Sequence, residues 1–231
     1  MDRLTIRNTA VASEFTIKKS LSSLSMKLYL ISKRIIDICA GLVGTICLLP
    51  LMLIVKVMNV MSGDYESIFH VQNRIGQDGK EFKFYKFRSM IPNADEELKR
   101  LLENDEKLRE EYSINKKLEN DPRVTKAGKF LRKTSLDELP QMINILKGDM
   151  SLIGNRPYLP REKEDMGIYF KEIVKTKPGL TGYWQVSGRS NTTFNERLKL
   201  ERYYSNHMSM KLDIKIFFKT FAIVLLHKGA K

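Results

Sequence analysis

Cysteine is nearly absent from this chain: two occur in 231 residues, Cys39 and Cys47, both inside one apolar stretch. A disulfide framework and a cysteine-based zinc spacing are therefore excluded, and both thiols read as reduced, packed or lipid-facing. Tryptophan occurs once, as Trp184, and a lone indole reads as core or interface packing rather than a base-stacking platform. His70 likewise reads as structural. There is no internal repeat, low-complexity tract, P-loop or dinucleotide fingerprint, which removes repeat architectures and the two familiar glycine-loop nucleotide sites. Acidic residues are outnumbered, 27 against 40 basic ones, for a formal net charge of +13 at pH 7. That excess suits nucleic acid, an anionic membrane surface or phosphorylated substrates, and charge alone does not choose among them. No recognised nucleic-acid-binding motif favours the first.

Residues 1 to 30 carry scattered charges and a serine-rich piece without a sustained period, and read as a weakly structured or interfacial extension. Lys18, Lys19, Lys27, Lys33 and Arg34 then precede an apolar run, Ile35 to Val55, in which Asp37 is the only charge. The run is long enough to enter a bilayer. A signal peptide is disfavoured, because the basic region before it is long and no small-residue cleavage site follows. Pro50, near the centre, removes a helical hydrogen bond. Basic sequence on both sides asks both ends to stay cytoplasmic. A re-entrant hairpin satisfies this; an ordinary spanning helix with a proline kink remains open on the residues alone.

Residues 67 to 88 read as a β-hairpin, two β-branched and aromatic runs around a turn at Gln77-Asp78-Gly79. Alternation places Lys86 and Arg88 on one face. Residues 93 to 120 read as an amphipathic surface helix. Arg123, Lys126, Lys129, Arg132 and Lys133 follow at near-helical spacing, as a solvated face or as an attractor for lipid headgroups and phosphates.

The chemistry gathers in TSLDELPQMINILKGDMSLIGNRP, residues 134 to 157. Pro140 is tolerated in a first helical turn, so a helix is expected to begin near Asp137 and run to Gly148. Asp137 and Glu138 then sit at a helix N-terminus, which favours negative charge and phosphate. The plainer alternative is an N-cap, or a capping box from Ser135 to Glu138. Arg156 lies in a turn beside Pro157, and a guanidinium grips phosphate oxygens in pairs.

The run DPRVTKAGKFLRKTSLDELPQMINILKGDMSLIGNRP, with FKFYKFRSM before it and KPGLTGYWQVSGRS after it, resembles the bacterial sugar transferases, the monotopic polyprenyl-phosphate phosphoglycosyl transferases. The likeness covers roughly Lys33 to the C-terminus. It implies transfer of a sugar 1-phosphate from a UDP-sugar to polyprenyl (undecaprenyl) phosphate with release of UMP, the initiating membrane step of surface polysaccharide assembly. Asp137 would be the nucleophile, forming an aspartyl phosphosugar, and Glu138 a ligand for Mg2+. Lys86, Arg88, Arg156, Gln185, Arg189 and Asp213 are the matching candidates for substrate binding. The resemblance also selects the re-entrant helix, broken at Pro50. Three positions depart from the family pattern: Leu49 stands for serine, Asn155 for proline and Glu201 for aspartate.

The expected architecture is a helix-rich mixed α/β domain with a small β-hairpin and an N-terminal re-entrant membrane helix. Its parts would be an extension (1 to 30), an anchor (31 to 60) and a cytoplasmic catalytic domain (61 to 231) at the inner face of a bacterial cell membrane. The expected partners are the UDP-sugar, the polyprenyl phosphate and membrane lipids, with no nucleic acid. A catalytically silent membrane-anchored scaffold of the same fold is the alternative.

Overall fold

One seam on the first helix organises the molecule. Asp37, Gly41, Gly44, Leu48, Val55 and Asn59 recur at steps of three, four or seven, so they share one helical face, and that face is turned inward. The outward face is apolar, with Val43, Leu49 and Leu53 each more than 60% exposed. The helix is thus buried on a face of mixed character and exposes an apolar one.

The computed structural model describes residues 3–115, 118–188 and 192–225. Helix α1 (Arg3–Met61) leads to an antiparallel hairpin, β1 (Phe69–Ile75) and β2 (Glu81–Phe87). Then come α2 (Ala94–Asn104), α3 (Glu106–Asn115), α4 (Lys126–Thr134), α5 (Gln141–Lys147) and β3 (Ser151–Ile153). The chain continues through the single turns α6 (Lys163–Met166) and α7 (Phe170–Ile173), then β4 (Gly179–Thr181), α8 (Tyr183–Ser187), α9 (Phe194–His207) and α10 (Met210–Leu225). β3 and β4 form a short parallel pair. This is the helix-rich mixed α/β class that the sequence implies.

The hairpin follows its pattern closely. Phe69 faces Phe87 and Ile75 faces Glu81, and Asp78 adopts the left-handed conformation that the tight turn requires. Three other expectations change. Residues 3 to 30 are helical and continuous with the apolar run, which replaces the weakly structured alternative for this extension and leaves the interfacial one standing. Pro50 lies inside α1 and the helix continues through it, so the break at Pro50 is not an interruption of helical structure. The charged segment after residue 93 is two helices, because Asp105 is extended (φ −133°) and the Arg109 guanidinium caps α2 through the carbonyls of Leu102 and Glu103.

Polar side chains on the seam of α1 fasten it to the domain. Arg34 donates to the carbonyls of Ile145 and Leu146, at 2.7 and 2.8 Å, closing the C-terminal end of α5. Asp37 accepts from Ser151 Oγ and from the Leu152 N–H, and Lys33 donates to Ile153 O. Further along, Leu48 and Val55 join Phe87 and Leu131 in an apolar cluster against which Leu136 and Leu139 pack. The helix is thus tied down at Tyr29, which donates to Asp213, and again at Val55, roughly 40 Å apart at 1.5 Å per residue.

Glycine permits the close approach of α1 to α5. A Cβ on Gly41 would lie 3.2 Å from the backbone nitrogen of Leu146, and one on Gly44 would meet the side chain of Met142. Gly41→Leu is expected to destabilise the chain by about 1–3 kcal/mol through overpacking. An unchanged thermal midpoint in detergent would show that this contact is slack.

Candidate active site

The acidic pair stands on a single 3-10 turn, Leu136–Glu138, between α4 and α5. Ser135 ends α4 in the left-handed conformation (φ 58°) with no capping hydrogen bond from its side chain, so the Ser135–Glu138 capping box is not formed. Regular helix begins four residues after Asp137, at Gln141, and α5 has only seven residues. The pair therefore sits before the helix rather than on its first turn, and the helix-end field is weaker than the sequence suggested. Leu136 and Leu139 lie against the apolar cluster beneath, which fixes the turn between them.

Strand β2 brings Lys86 to the pair. Its Nζ is 3.1 Å from Glu138 Oε1 and 3.9 Å from Asp137 Oδ2. The placement is enforced by buried Asn144 on α5, whose amide donates to Lys83 O at 2.7 Å and accepts from the Tyr85 N–H at 3.2 Å. One asparagine thus zips the helix after the acidic pair to the strand that carries the lysine.

The Asp137 side chain is 11% exposed, whereas the Glu138 side chain keeps 41%. Burial raises the Asp137 carboxyl above the usual range; Lys86 and Arg132 pull it back down, and Glu138 pushes it up. Both carboxylates open onto a cleft of about 1580 Å³ that Lys86, Arg88, Arg132 and Arg156 also line. Arg156 enters from the loop after β3, with its guanidinium 4.0 Å from Glu162 Oε1 and 5.9 Å from the rings of Tyr158 and Trp184.

The other candidates separate. Arg88 lines the cleft, but its guanidinium is committed to Asp64 at 2.8 Å and to Ser67 O at 2.7 Å, so it forms wall. Gln185 lies on α8, outside the lining of the cleft. Asp213 is buried in the first turn of α10, where it meets Lys33, Tyr29 and Tyr204; it fastens α1 and does not line the cleft. Arg189 lies outside the described residues. Trp184 does serve packing: its Nε1 donates to Thr192 and the Arg197 guanidinium covers its ring at 4.2 Å.

Sequence reasoning missed Arg74, a cleft residue whose guanidinium donates to Pro157 O and to Gln72. Burial and the neighbouring Arg156 lower its pKa to about 10. The alternation of His70, Gln72 and Arg74 along β1, all three on the cleft, was the available signal.

For a divalent ion the local protein donors are Asp137 and Glu138, and among the described residues no three or more acidic, histidine or cysteine side chains are placed to hold a metal ion together. Two carboxylates open to a cleft fit Mg2+, which is commonly held by one or two carboxylates together with substrate phosphate oxygens. They do not fit a closed structural metal cage.

A carboxylate pair bridged by lysine thus opens onto a cleft lined by nine basic and nine acidic side chains, in a domain that carries a long helix with an exposed apolar face. The chain belongs to the bacterial sugar transferase family, which it matches over residues 28–227. It is 45% identical to a galactosyl transferase, CpsE, of Streptococcus agalactiae over 217 residues, covering 92% of this chain and 47% of that protein. It is 43% identical to an undecaprenyl-phosphate galactose phosphotransferase of Salmonella typhimurium over 198 residues, 86% of this chain and 41% of the relative. It is also 40% identical to the exopolysaccharide production protein ExoY of Sinorhizobium fredii, over 87% of this chain and 88% of ExoY. The chain thus spans less than half the length of the first two and most of the third.

Proposed function

We propose that this chain transfers a sugar 1-phosphate from a UDP-sugar to polyprenyl phosphate, giving a polyprenyl diphosphate sugar and UMP. The observation that carries the reading is the buried Asp137 carboxylate, 3.9 Å from Lys86 and open to a cleft that also holds Glu138 and Arg156. Relatives named as an undecaprenyl-phosphate galactose phosphotransferase and a UDP-glucose:undecaprenyl-phosphate glucose-1-phosphate transferase support the same chemistry.

In this reading an Asp137 oxygen attacks the β-phosphorus, the bond from that phosphorus to the bridging oxygen breaks, and UMP leaves with the oxygen. A phosphate oxygen of the polyprenyl acceptor then attacks the aspartyl phosphosugar and restores the carboxylate. An ionised carboxylate needs no general base for the first step. Lys86 and Arg156 balance charge on the transferring phosphoryl group. Glu138 would hold Mg2+ with the donor phosphates, and the ion would neutralise diphosphate charge. Membrane fractions given polyprenyl phosphate and a panel of UDP-sugars are expected to release UMP from at least one of them. Folded protein that releases none across the panel would overturn the assignment.

The outer face of α1 would sit in the cytoplasmic leaflet, where its exposed Leu42, Val43, Ile46, Leu49 and Leu53 lose contact with water. Because α1 is tied to the same domain at Tyr29 and at Val55, a bilayer cannot separate those two points without tearing the contacts, and the one-sided topology extends this to the N-terminus. A single cysteine near Met1, in a background lacking Cys39 and Cys47, should resist a membrane-impermeant reagent in intact cells and react after permeabilisation. Labelling from outside would place the N-terminus across the membrane and sink the one-sided topology.

A further inference from the structure

Two of the departures from the family pattern, Asn155 and Glu201, meet at one place. Glu201 on α9 is buried, at 1% exposure, and its Oε2 accepts the backbone N–H of Arg156 at 2.8 Å. One helical turn further, Ser205 Oγ accepts from the side-chain amide of Asn155 at 2.6 Å. Residues four apart share a helix face, so a single face of α9 grips two consecutive residues of the loop. The loop is held on its other sides too: Asn155 also donates to Ile173 O, and its carbonyl accepts from the Gly179 N–H at 2.7 Å. The stiffness that a proline would give at position 155 is supplied here by side-chain hydrogen bonds. α9 is itself anchored, with Leu198 fully buried and Tyr204 bonded to Asp213.

Arg156 is held by its backbone, whereas its side chain is lightly engaged. Nε is buried without a hydrogen-bond partner among the described residues, while the side chain as a whole is 31% exposed and its terminal nitrogen stands 4.0 Å from the nearest carboxylate, Glu162, so the terminal nitrogens are the ones that face the cleft. A guanidinium poised this way has donors left for an anion entering the cleft.

We infer that Glu201 and Ser205 are positioning residues that fix Arg156 in the cleft to receive the diphosphate of the nucleotide donor. The inference deepens the transfer reading and rests on it for the identity of the anion. Glu201 acts as a neutral acceptor: burial raises its carboxyl to about 8, against the pull of the Arg156 backbone hydrogen bond and of the Arg156 and Arg197 charges. Tyr158 faces Glu201, and Glu162 and Arg74 act on Arg156 from the other side. A glutamine carbonyl should therefore replace the carboxyl.

The test is UDP binding by calorimetry to the full chain in detergent with magnesium present, followed by UMP release on the same preparations. Glu201→Leu, which fills the space without an acceptor, should weaken UDP binding about tenfold. Glu201→Gln should restore affinity to within about threefold of wild type. Arg156→Ala and the double variant Arg156→Ala/Glu201→Leu should bind equally, because the second change acts only through Arg156. If Glu201→Leu fails to fold, Ser205→Ala should weaken binding in the same direction, and again not in the Arg156→Ala background.

Stability gives a second readout with a definite sign. The unfolded carboxyl titrates near 4.5 and the folded one near 8, so the wild type loses stability as pH rises between those values. The thermal midpoint of Glu201→Gln should therefore gain on wild type from pH 5 to pH 8. Independent, multiplying effects of Glu201→Leu and Arg156→Ala, no rescue by glutamine, or no UDP binding by wild type would each overturn the positioning role. UDP binding with the expected variant pattern but no UMP release would uphold it and remove the transfer reading instead.

Discussion

Asp137→Asn is expected to release no UMP from a UDP-sugar and to capture no labelled phosphosugar, a loss of about four orders of magnitude or more, as for the removal of other covalent nucleophiles. At roughly 1.4 kcal/mol per tenfold, that is more than about 5 kcal/mol of transition-state stabilisation. The substitution keeps the shape of a buried side chain and removes only its charge and nucleophilic oxygen, so the turn held by Leu136 and Leu139 should stay in place. Fold damage is therefore a poor explanation for a dead variant, and UDP affinity should survive. Covalent catalysis also requires ping-pong kinetics, in which donor alone gives one equivalent of UMP per active site. Direct attack by the lipid phosphate in a ternary complex would give sequential kinetics and no label. Label on another residue of the asparagine variant, or strictly sequential kinetics in the wild type, would remove Asp137 from the nucleophile's position.

What the sequence made legible was local pattern and ordered motif. Alternation around Gln77-Asp78-Gly79 specified the hairpin, because strand period and turn chemistry are written in consecutive residues. Motif likeness picked out Asp137, Glu138, Lys86 and Arg156, which line one cleft although they lie on three separate parts of the chain. Roles set by tertiary contact were not legible. Asp213 matches a motif position, and only the fold shows that it meets Lys33 from α1 instead of the cleft. Arg88 carries the same charge as Lys86 two residues away, yet Asp64 claims it. The helix start was misjudged because Ser135, in the left-handed region, ends α4 and forces a 3-10 turn before α5. Leucines at helical spacing on both sides of Asp105 hid the break between α2 and α3, which depends on Arg109 reaching back over the preceding turn.

Lys86→Gln should cut donor turnover at neutral pH by roughly a hundredfold, the scale expected when one preorganised charge is removed from a transition state. Its more telling effect is on pH dependence. As the proposed nucleophile Asp137 would have to be ionised, and burial already holds its carboxyl above the ordinary carboxylate range, with Lys86 the largest opposing influence. The acidic limb of the wild-type profile of kcat/KM should therefore lie above the range of a free carboxylate. Taking away the ammonium, 3.9 Å from the carboxylate, should move that limb upward, since two unit charges about 4 Å apart near a protein surface interact by roughly 4 kcal/mol before desolvation is counted. The displacement is upward, because the charge that favours the ionised form is gone. Lys86→Arg keeps the charge and should leave the limb near its wild-type position even where its bulk slows turnover. The competing role for Lys86 is a simple tie to Glu138 at 3.1 Å, which would make both variants slow without moving the limb. Measuring kcat/KM between pH 5 and pH 9 for the three proteins separates the two: a limb common to all three confines Lys86 to holding Glu138, and a limb displaced only in the glutamine variant ties its charge to the ionisation of Asp137.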